Sequence, residues 1–154
     1  MKEQGRTSET FILFQIAETF YALASRYVQQ MEMIESITPV PNAAPFVEGV
    51  VFIRGQVIPV INLRVRFSLE KAPYTSRTRL IVTNLDGRRV GLIADSAREF
   101  ISIPPDAIQP PPAGVSELSG NYLKGVATLA GRIILIVELN ELINTGEASA
   151  SLAH

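Results

Sequence analysis

The sequence has no cysteine and no tryptophan, and its single histidine is the last residue, His154. The absence of cysteine excludes disulfides and thiolate metal sites. The absence of an internal histidine removes the usual base that activates a nucleophile. Neither a Gly-x-Ser-x-Gly turn nor a glycine-rich phosphate loop is present. These absences predict a protein that is not an enzyme and that needs no metal or cofactor.

The chain also has no large excess of either charge, since it contains 14 basic and 15 acidic residues and its net charge is −1. A nucleic-acid partner is not expected, because such partners need a basic face. The densest basic stretch, Arg77 to Arg89, is interpreted as a solvated strand face and turn. No apolar run approaches the roughly 18 residues of a membrane span. A cytoplasmic protein without direct membrane insertion is therefore expected.

What the sequence has in quantity is short apolar runs separated by turn residues, which is typical of β-hairpins. Hairpin turns are predicted at Arg54-Gly55, Asp86-Gly87 and Ala130-Gly131. Helical segments are predicted to be few and short, at 26–31, 63–67 and 139–144. The fold class is therefore all-β with short helices.

An internal repeat organises these runs. Residues 46–63 align with 122–139 at an offset of 76, and glycines and apolar positions coincide. Residues 11–31 align more weakly with 80–100 at an offset of 69, so an insertion of seven residues is predicted in or near 110–119. Each copy is too small to bury a large core alone, so the copies should pack together as two small closed barrels. A groove between them is a usual place for a partner.

The domain prediction follows from the repeat. One domain covers residues 10–144, with subdomain one at about 10–75 and subdomain two at about 76–144, and with flexible tails at 1–9 and 145–154. Arg54 differs from its repeat partner Ala130 at a hairpin corner. It is either an exposed turn residue or a charged anchor for a partner, a role that the fixed donors of arginine suit.

These residues resemble a known family. Val51 to Arg64 (VFIRGQVIPVINLR) is similar to the most specific motif of CheW, the chemotaxis coupling protein. Arg88 to Ser96 and Tyr122 to Leu142 are similar to its later segments, so the resemblance covers about residues 10 to 144. The chain departs from the family where Gln30 replaces a common acidic residue and Asn62 the usual aspartate. Phe52 also stands where asparagine is usual, and Ala97 where valine is common.

The resemblance implies two SH3-like five-stranded β-barrels and a non-catalytic adaptor that couples chemoreceptors to a CheA-type histidine kinase. The receptor's cytoplasmic helical tip would lie in the groove, and the kinase's regulatory domain would pack barrel against barrel. Other CheW-like domains in rings are a further expected partner, and recruitment to membrane-associated receptor arrays is expected. The implied partner-binding residues are Val28, Gln30, Gly49, Ile53, Arg54, Gly55, Asp95 and Phe100.

Two alternatives stay open at the level of the sequence. One is a small-molecule-binding or enzymatic barrel whose cleft is lined by Asp95, Glu99 and Arg54. The other is a CheW-like adaptor in a system with a non-flagellar output, such as pili or gliding. The departures from the family motif are the observations that keep this second alternative open.

Overall fold

The computed structural model describes residues 8–115 and 122–143 of the chain. Eleven strands and two short α-helices form this part, with 3₁₀ turns at Ser25–Tyr27 and Pro105–Ala107. The strands and helices in chain order are β1 Glu9–Ile16, β2 Thr19–Ala24, β3 Val28–Met33, β4 Val47–Ile53, β5 Gln56–Asn62, α1 Leu63–Arg66, β6 Arg79–Leu85, β7 Arg88–Ala94, β8 Ser96–Ile103, β9 Ile108–Gln109, β10 Leu123–Leu129, β11 Arg132–Val137 and α2 Leu139–Ile143.

The strands form two sheets that each curl back on themselves. Sheet one has the order β8-β1-β2-β11-β10-β9, and sheet two has the order β3-β6-β7-β5-β4. In sheet one the edge strands β8 and β9 are joined by only four residues, so the two edges must lie close together. In sheet two the chain leaving β3 reaches Thr38, which bridges Val50 of the opposite edge strand β4. The prediction of an all-β fold with two small barrels is confirmed.

The two copies of the repeat pair their strands in the same register. Phe11 pairs with Ala24 between β1 and β2, and the residues 69 positions later, Leu80 and Ile93, pair between β6 and β7. Residues 76 positions apart match in the same way in the later hairpins, where Val60 pairs with Gly49 and Ile136 with Gly125. The aligned apolar pattern therefore encodes the same pairing twice, because a slip of one residue would turn every core side chain outward.

The two sheets do not follow the predicted division of the chain at about residue 75. Sheet one combines β1 and β2 with β8 to β11, and sheet two combines β3 to β5 with β6 and β7. The chain crosses between sheets at the Ser25–Tyr27 turn and returns at Asp95. Each sheet thus combines the first two strands of one copy with the later strands of the other copy, and neither barrel is a continuous half of the sequence.

The core continues between the two sheets. Its largest cluster takes side chains from both, among them Ile12, Leu23, Ile81 and Leu92. Four aromatic rings stack in a column through this cluster, with centroids 4.7–5.5 Å apart. The rings belong to Phe14, Tyr21, Phe67 and Tyr122. Because each sheet contributes to one shared interior, the barrels have a fixed relative position.

Three details differ from the sequence expectations or complete them. The helix predicted at 26–31 is wrong beyond Tyr27, because Val28–Met33 forms β3 and pairs with β6. The helices predicted at 63–67 and 139–144 are confirmed as α1 and α2, each within one residue. The predicted tail 1–9 ends earlier than expected, since Glu9 belongs to β1; the rest of that tail, from 1 to 7, and the tail 145–154 lie outside the described residues.

Candidate functional site

Arg54 and Gly55 form the corner of the β4–β5 hairpin. Both have positive φ, +51° and +80°, and Ile53 pairs with Gln56 across them, which is a type I′ turn. The Arg54 side chain is exposed and has no hydrogen bond or ion pair within the described part of the chain. The turn therefore holds the backbone of Arg54 rigidly and leaves its guanidinium available.

Arg54 lines a small cavity of about 180 Å³, named here the Arg54 pocket. A second arginine, Arg89 of β7, also lines it and donates through Nε to Oε1 of Gln29 at 3.0 Å. The complete lining is Gln29, Gln30, Ile53, Arg54, Gln56, Ile58, Val82 and Arg89. Two guanidiniums thus face one cavity whose described lining includes no carboxylate.

The second barrel has a matching cavity of about 170 Å³, named here the Glu99 pocket. Leu13, Phe14, Gln15, Phe20, Arg77, Ser96, Glu99 and Arg132 line it. Four of these residues stand at the repeat positions of Arg54-pocket residues. The matched pairs are Val82 with Leu13, Arg89 with Phe20, Gln30 with Glu99, and Gln56 with Arg132. The fold therefore builds the same pocket twice, with different charges.

A larger cleft of about 600 Å³ lies on the other side of Arg54, between the two edge strands of sheet two. It is named here the Met33 cleft. Phe52 and Val57 face each other across the hairpin and are 72% and 65% exposed, and Met33 is exposed beside them. Glu32 and Glu35 also line the cleft. Large exposed apolar side chains at one place are typical of a protein-binding surface.

Two of the sequence-predicted residues lie on β3 close to the Arg54 pocket. The Gln30 side chain lines the pocket, and its amide donates to the carboxylate of Glu32. Val28 is half-buried, pairs with Thr83 of β6 and packs against the main core cluster. The structure therefore brings Gln30, Ile53 and Arg54 together, while Val28 is mostly occupied with the interior.

Gly49 is buried and offers no side chain to a partner. Its φ is +145°, and a Cβ added there would lie 2.0 Å from the carbonyl oxygen of Thr38. Only glycine allows this close approach, which closes sheet two at the Thr38–Val50 bridge. Gly49 therefore acts on the candidate binding surface only indirectly, because it allows sheet two to close at this bridge.

Asp95 is tied into the framework and lies far from Arg54. It accepts from Nη2 of Arg64 at 2.8 Å and from the backbone N–H of Ala17 at 2.7 Å. These hydrogen bonds from Arg64 to Asp95 raise the pKa of Arg64. Asp95 directly follows β7, which pairs with Asn62 at the C-terminal end of β5. Arg54 lies just before the N-terminal end of β5. At about 3.3 Å per residue the two sites are about 20 Å apart.

Phe100 lies on the edge strand β8 of sheet one, paired with Ile12, and is 56% exposed. It does not line the Arg54 pocket or the Met33 cleft. The alternative active-site set is not assembled either. Arg54, Glu99 and Asp95 line three different cavities. In residues 8–115 and 122–143 no group of three metal-ligating side chains is found.

The sequence reasoning missed Arg89 and the exposed pair Phe52 and Val57. The sequence pattern places Arg89 in a solvated basic stretch, whereas in the structure it is half-buried and hydrogen-bonded to Gln29. At the repeat offset of 69, Arg89 aligns with Phe20 of the first copy. A charged residue aligned with an aromatic one is the sequence signal that distinguishes Arg89. Phe52 carries a signal too, as a large apolar residue two positions before the Arg54-Gly55 corner.

None of the helices in the described part of the chain has the length and apolar character needed to cross a bilayer.

The comparisons with known proteins agree with one another. A family model described as CheW-like domain matches residues 10–147. The chain is 29% identical to chemotaxis protein CheW of Klebsiella aerogenes, over 95% of this chain and 89% of that protein. It is also 29% identical to protein FrzA of Myxococcus xanthus, over 96% and 92%. The crystal structure of the scaffolding protein TtCheW from Thermoanaerobacter tengcongensis superimposes with a TM-score of 0.81 at 32% identity, covering 88% of this chain and 92% of that one.

Proposed function

The chain belongs to the CheW-like domain family, and from that membership we propose that it couples a chemoreceptor to a CheA-type histidine kinase. Membership in the family makes it a scaffold of chemotaxis signalling, similar to chemotaxis protein CheW and to TtCheW. The coupling itself requires two separate surfaces on one small protein. One surface would hold the cytoplasmic helical tip of the receptor, and the other the regulatory domain of the kinase.

The observation that supports the proposal is that Arg54 is held at a rigid corner and that its side chain has no partner among the described residues. A rigid type I′ corner presents its guanidinium beside two cavities, and no described residue satisfies it. An arginine held by the backbone alone loses little further backbone freedom on binding. Arginine is also among the residues that dominate binding energies at protein interfaces. We therefore assign Arg54, with Gln30 and Ile53 beside it, to the receptor surface.

The remaining predicted residues divide into contacts and positioning residues in this proposal. Phe100, exposed on the edge strand β8, and the exposed part of half-buried Val28 on β3 provide apolar contacts for the receptor helix. Gly55 completes the turn that aims Arg54. Gly49 and Asp95 act through the framework, since one is buried and the other is paired with Arg64.

The Met33 cleft is the proposed kinase surface. Phe52 and Val57 project from the β4–β5 hairpin, and the regulatory domain of the kinase or another CheW-like domain would pack its own barrel against them. Burial of two large apolar side chains would stabilise such a contact by about 25 cal/mol per Å² of apolar surface. The proposal places the protein in the cytoplasm, recruited to receptor arrays at the membrane.

A second candidate is the same coupling role in a chemosensory system with a non-flagellar output. The similarity to protein FrzA of Myxococcus xanthus favours it, at the same identity as the similarity to CheW of Klebsiella aerogenes. Deleting the gene and measuring swimming, pilus-driven and gliding movement separates the two candidates.

Co-sedimentation of the full chain with a receptor cytoplasmic fragment and with the kinase of the same organism tests the coupling proposal. We expect the chain to enter the pellet with either partner alone and to increase the amount of kinase that sediments with the receptor. Absence of binding to every receptor fragment and CheA-type domain of the organism would overturn it.

A further inference from the structure

Two arginines and no carboxylate line the Arg54 pocket, although Glu32 accepts from Gln30 and lines the adjoining Met33 cleft. Arg89 uses only Nε, toward Gln29, and no described residue accepts from its Nη1 or Nη2 groups. Arg54 has no partner at all among these residues. The floor between the two arginines is apolar, formed by Ile53, Ile58 and Val82. Free guanidinium donors above an apolar floor match a carboxylate carried on an aliphatic stem.

The repeat provides an internal comparison for this charge. In the Glu99 pocket the position of Gln30 is occupied by Glu99, so that barrel supplies its own carboxylate beside Arg77 and Arg132. In the Arg54 pocket the amide of Gln30 donates to Glu32 instead of offering a charge to the arginines. The two pockets have the same position in the barrel, and only one of them contains an acid.

We propose that the Arg54 pocket binds an aspartate or glutamate side chain from the helical tip of the receptor, held between Arg54 and Arg89. The inference rests on the proposed function and adds to it a second cationic residue and the chemistry of the partner. The receptor carboxylate supplies the negative charge that Glu99 supplies in the lining of the other pocket. An aliphatic neighbour on the same face of the receptor helix would contact Ile53, since residues three or four positions apart share a face.

The test uses the full chain and the receptor cytoplasmic fragment, with affinity measured by calorimetry at constant salt. Arg89→Gln removes the charge and retains an amide beside Gln29, and it should weaken receptor binding about tenfold or more, as loss of a hydrogen bond to a charged group does. Arg77→Gln is the matched control, because Arg77 lines the Glu99 pocket. It should change the affinity less than about twofold, as expected for a charge outside the contact. Thermal melting of both variants confirms that they are folded.

A second variant adds an acid to the pocket, whereas the first removes a basic residue. Gln30→Glu gives the Arg54 pocket the carboxylate that the Glu99 pocket already has, and this internal acid should compete with the receptor's acid. We expect receptor binding to weaken about tenfold by this competition. Replacing each acidic residue of the receptor tip by its amide should identify one position at which Arg89→Gln has no further effect.

The outcomes separate this inference from the coupling proposal. If the unmodified chain binds neither receptor nor kinase, the coupling proposal fails. If it binds the receptor and Arg89→Gln binds equally well, only the carboxylate site fails. A loss of kinase binding instead of receptor binding in Arg89→Gln would also overturn the assignment to the receptor tip.

Discussion

Arg64 and Asp95 join the two sheets through a forked contact. Nε of Arg64 donates to both carboxylate oxygens at 3.0 and 3.1 Å, and Nη2 donates to Oδ2 at 2.8 Å. Oδ2 also accepts from the backbone N–H of Ala17, in the turn that links β1 and β2. Arg64 lies on α1, which follows a strand of sheet two, so one carboxylate holds together elements of both barrels.

Asp95→Asn should lower the free energy of unfolding by about 2 kcal/mol, because the arginine then loses a charged acceptor in a partly buried place. Urea unfolding followed by circular dichroism measures the change. Glu9→Gln is the control, since Glu9 pairs with Arg26 at an exposed position and should cost less than about 1 kcal/mol. A variant that is as stable as the parent but has lost receptor binding would show that Asp95 contacts the partner directly.

Gly49→Ala should destabilise the protein by about 3 kcal/mol or more, because the methyl group would overlap the backbone of Thr38 and the φ of +145° disfavours alanine. The repeat offers a matched control in Gly125→Ala. A Cβ at Gly125 would lie 2.9 Å from a side-chain atom of Ile108 and 3.1 Å from the carbonyl oxygen of Gln109, so the overlap is smaller than at Gly49, and Gly125 does not have a positive φ. Thermal unfolding of the two variants should give a clearly larger loss for Gly49→Ala, and equal losses would contradict the close approach.

The fold could be predicted from the repeated sequence, because apolar alternation and turn residues determine the strand register locally. Asp86-Gly87 and Ala130-Gly131 adopt the turn that their hairpins require. The exchange of strands between copies could not be predicted, because matching residues such as Phe11 and Leu80 satisfy the same pairing rules with either copy. Only the packing of the complete chain selects which partner each strand takes.

Only part of the candidate site could be predicted from the sequence, for a related reason. Arg54 and Ile53 are candidates because they lie within one motif, and Gln30 is a candidate because the family resemblance implies it. Arg89 comes from a distant strand and meets them only after β3 and β7 are placed in one sheet. The helix expected at 26–31 failed for the same reason, since pairing of β3 with β6 overrides a weak local helical preference.

Tyr21 gives the protein a pH dependence in the alkaline range. Burial raises the pKa of Tyr21 to about 12, and the neighbouring Tyr122 adds to the effect. The folded state therefore holds this proton more tightly than the unfolded chain, in which tyrosine has a pKa near 10. The stabilisation is complete below pH 10 and is lost as the pH rises from 10 to 12.

Tyr21→Phe should remove this part of the pH dependence, while the ring stack with Phe14 and Phe67 is retained. We expect near-equal stability of variant and parent at pH 7, and a variant more stable by about 1–2 kcal/mol at pH 11.5, from roughly 1.4 kcal/mol per pH unit. Urea unfolding at both pH values measures it. The same difference at both pH values would exclude titration of Tyr21 as the cause.

Arg54→Asp separates binding from stability at the hairpin corner. Aspartate tolerates the left-handed conformation, and Asp86 already occupies the same position of the β6–β7 turn with a φ of +53°. Because the Arg54 side chain has no partner in the described chain, the melting temperature should change by less than about 2 °C, the shift that a few tenths of a kcal/mol produces. Receptor binding should weaken by more than about 1 kcal/mol, since the anchor is lost and its charge reversed.

Ala130→Asp is the matched control for that variant, because Ala130 holds the same corner in the second copy of the repeat, with a φ of +53°. It adds the same aspartate at the same turn position but outside the Arg54 pocket, so receptor binding should stay within about twofold of the parent protein. Equal losses in both variants would mean that net charge, and not the corner at Arg54, controls the affinity. Unfolding of Arg54→Asp alone would mean that Arg54 supports the hairpin itself.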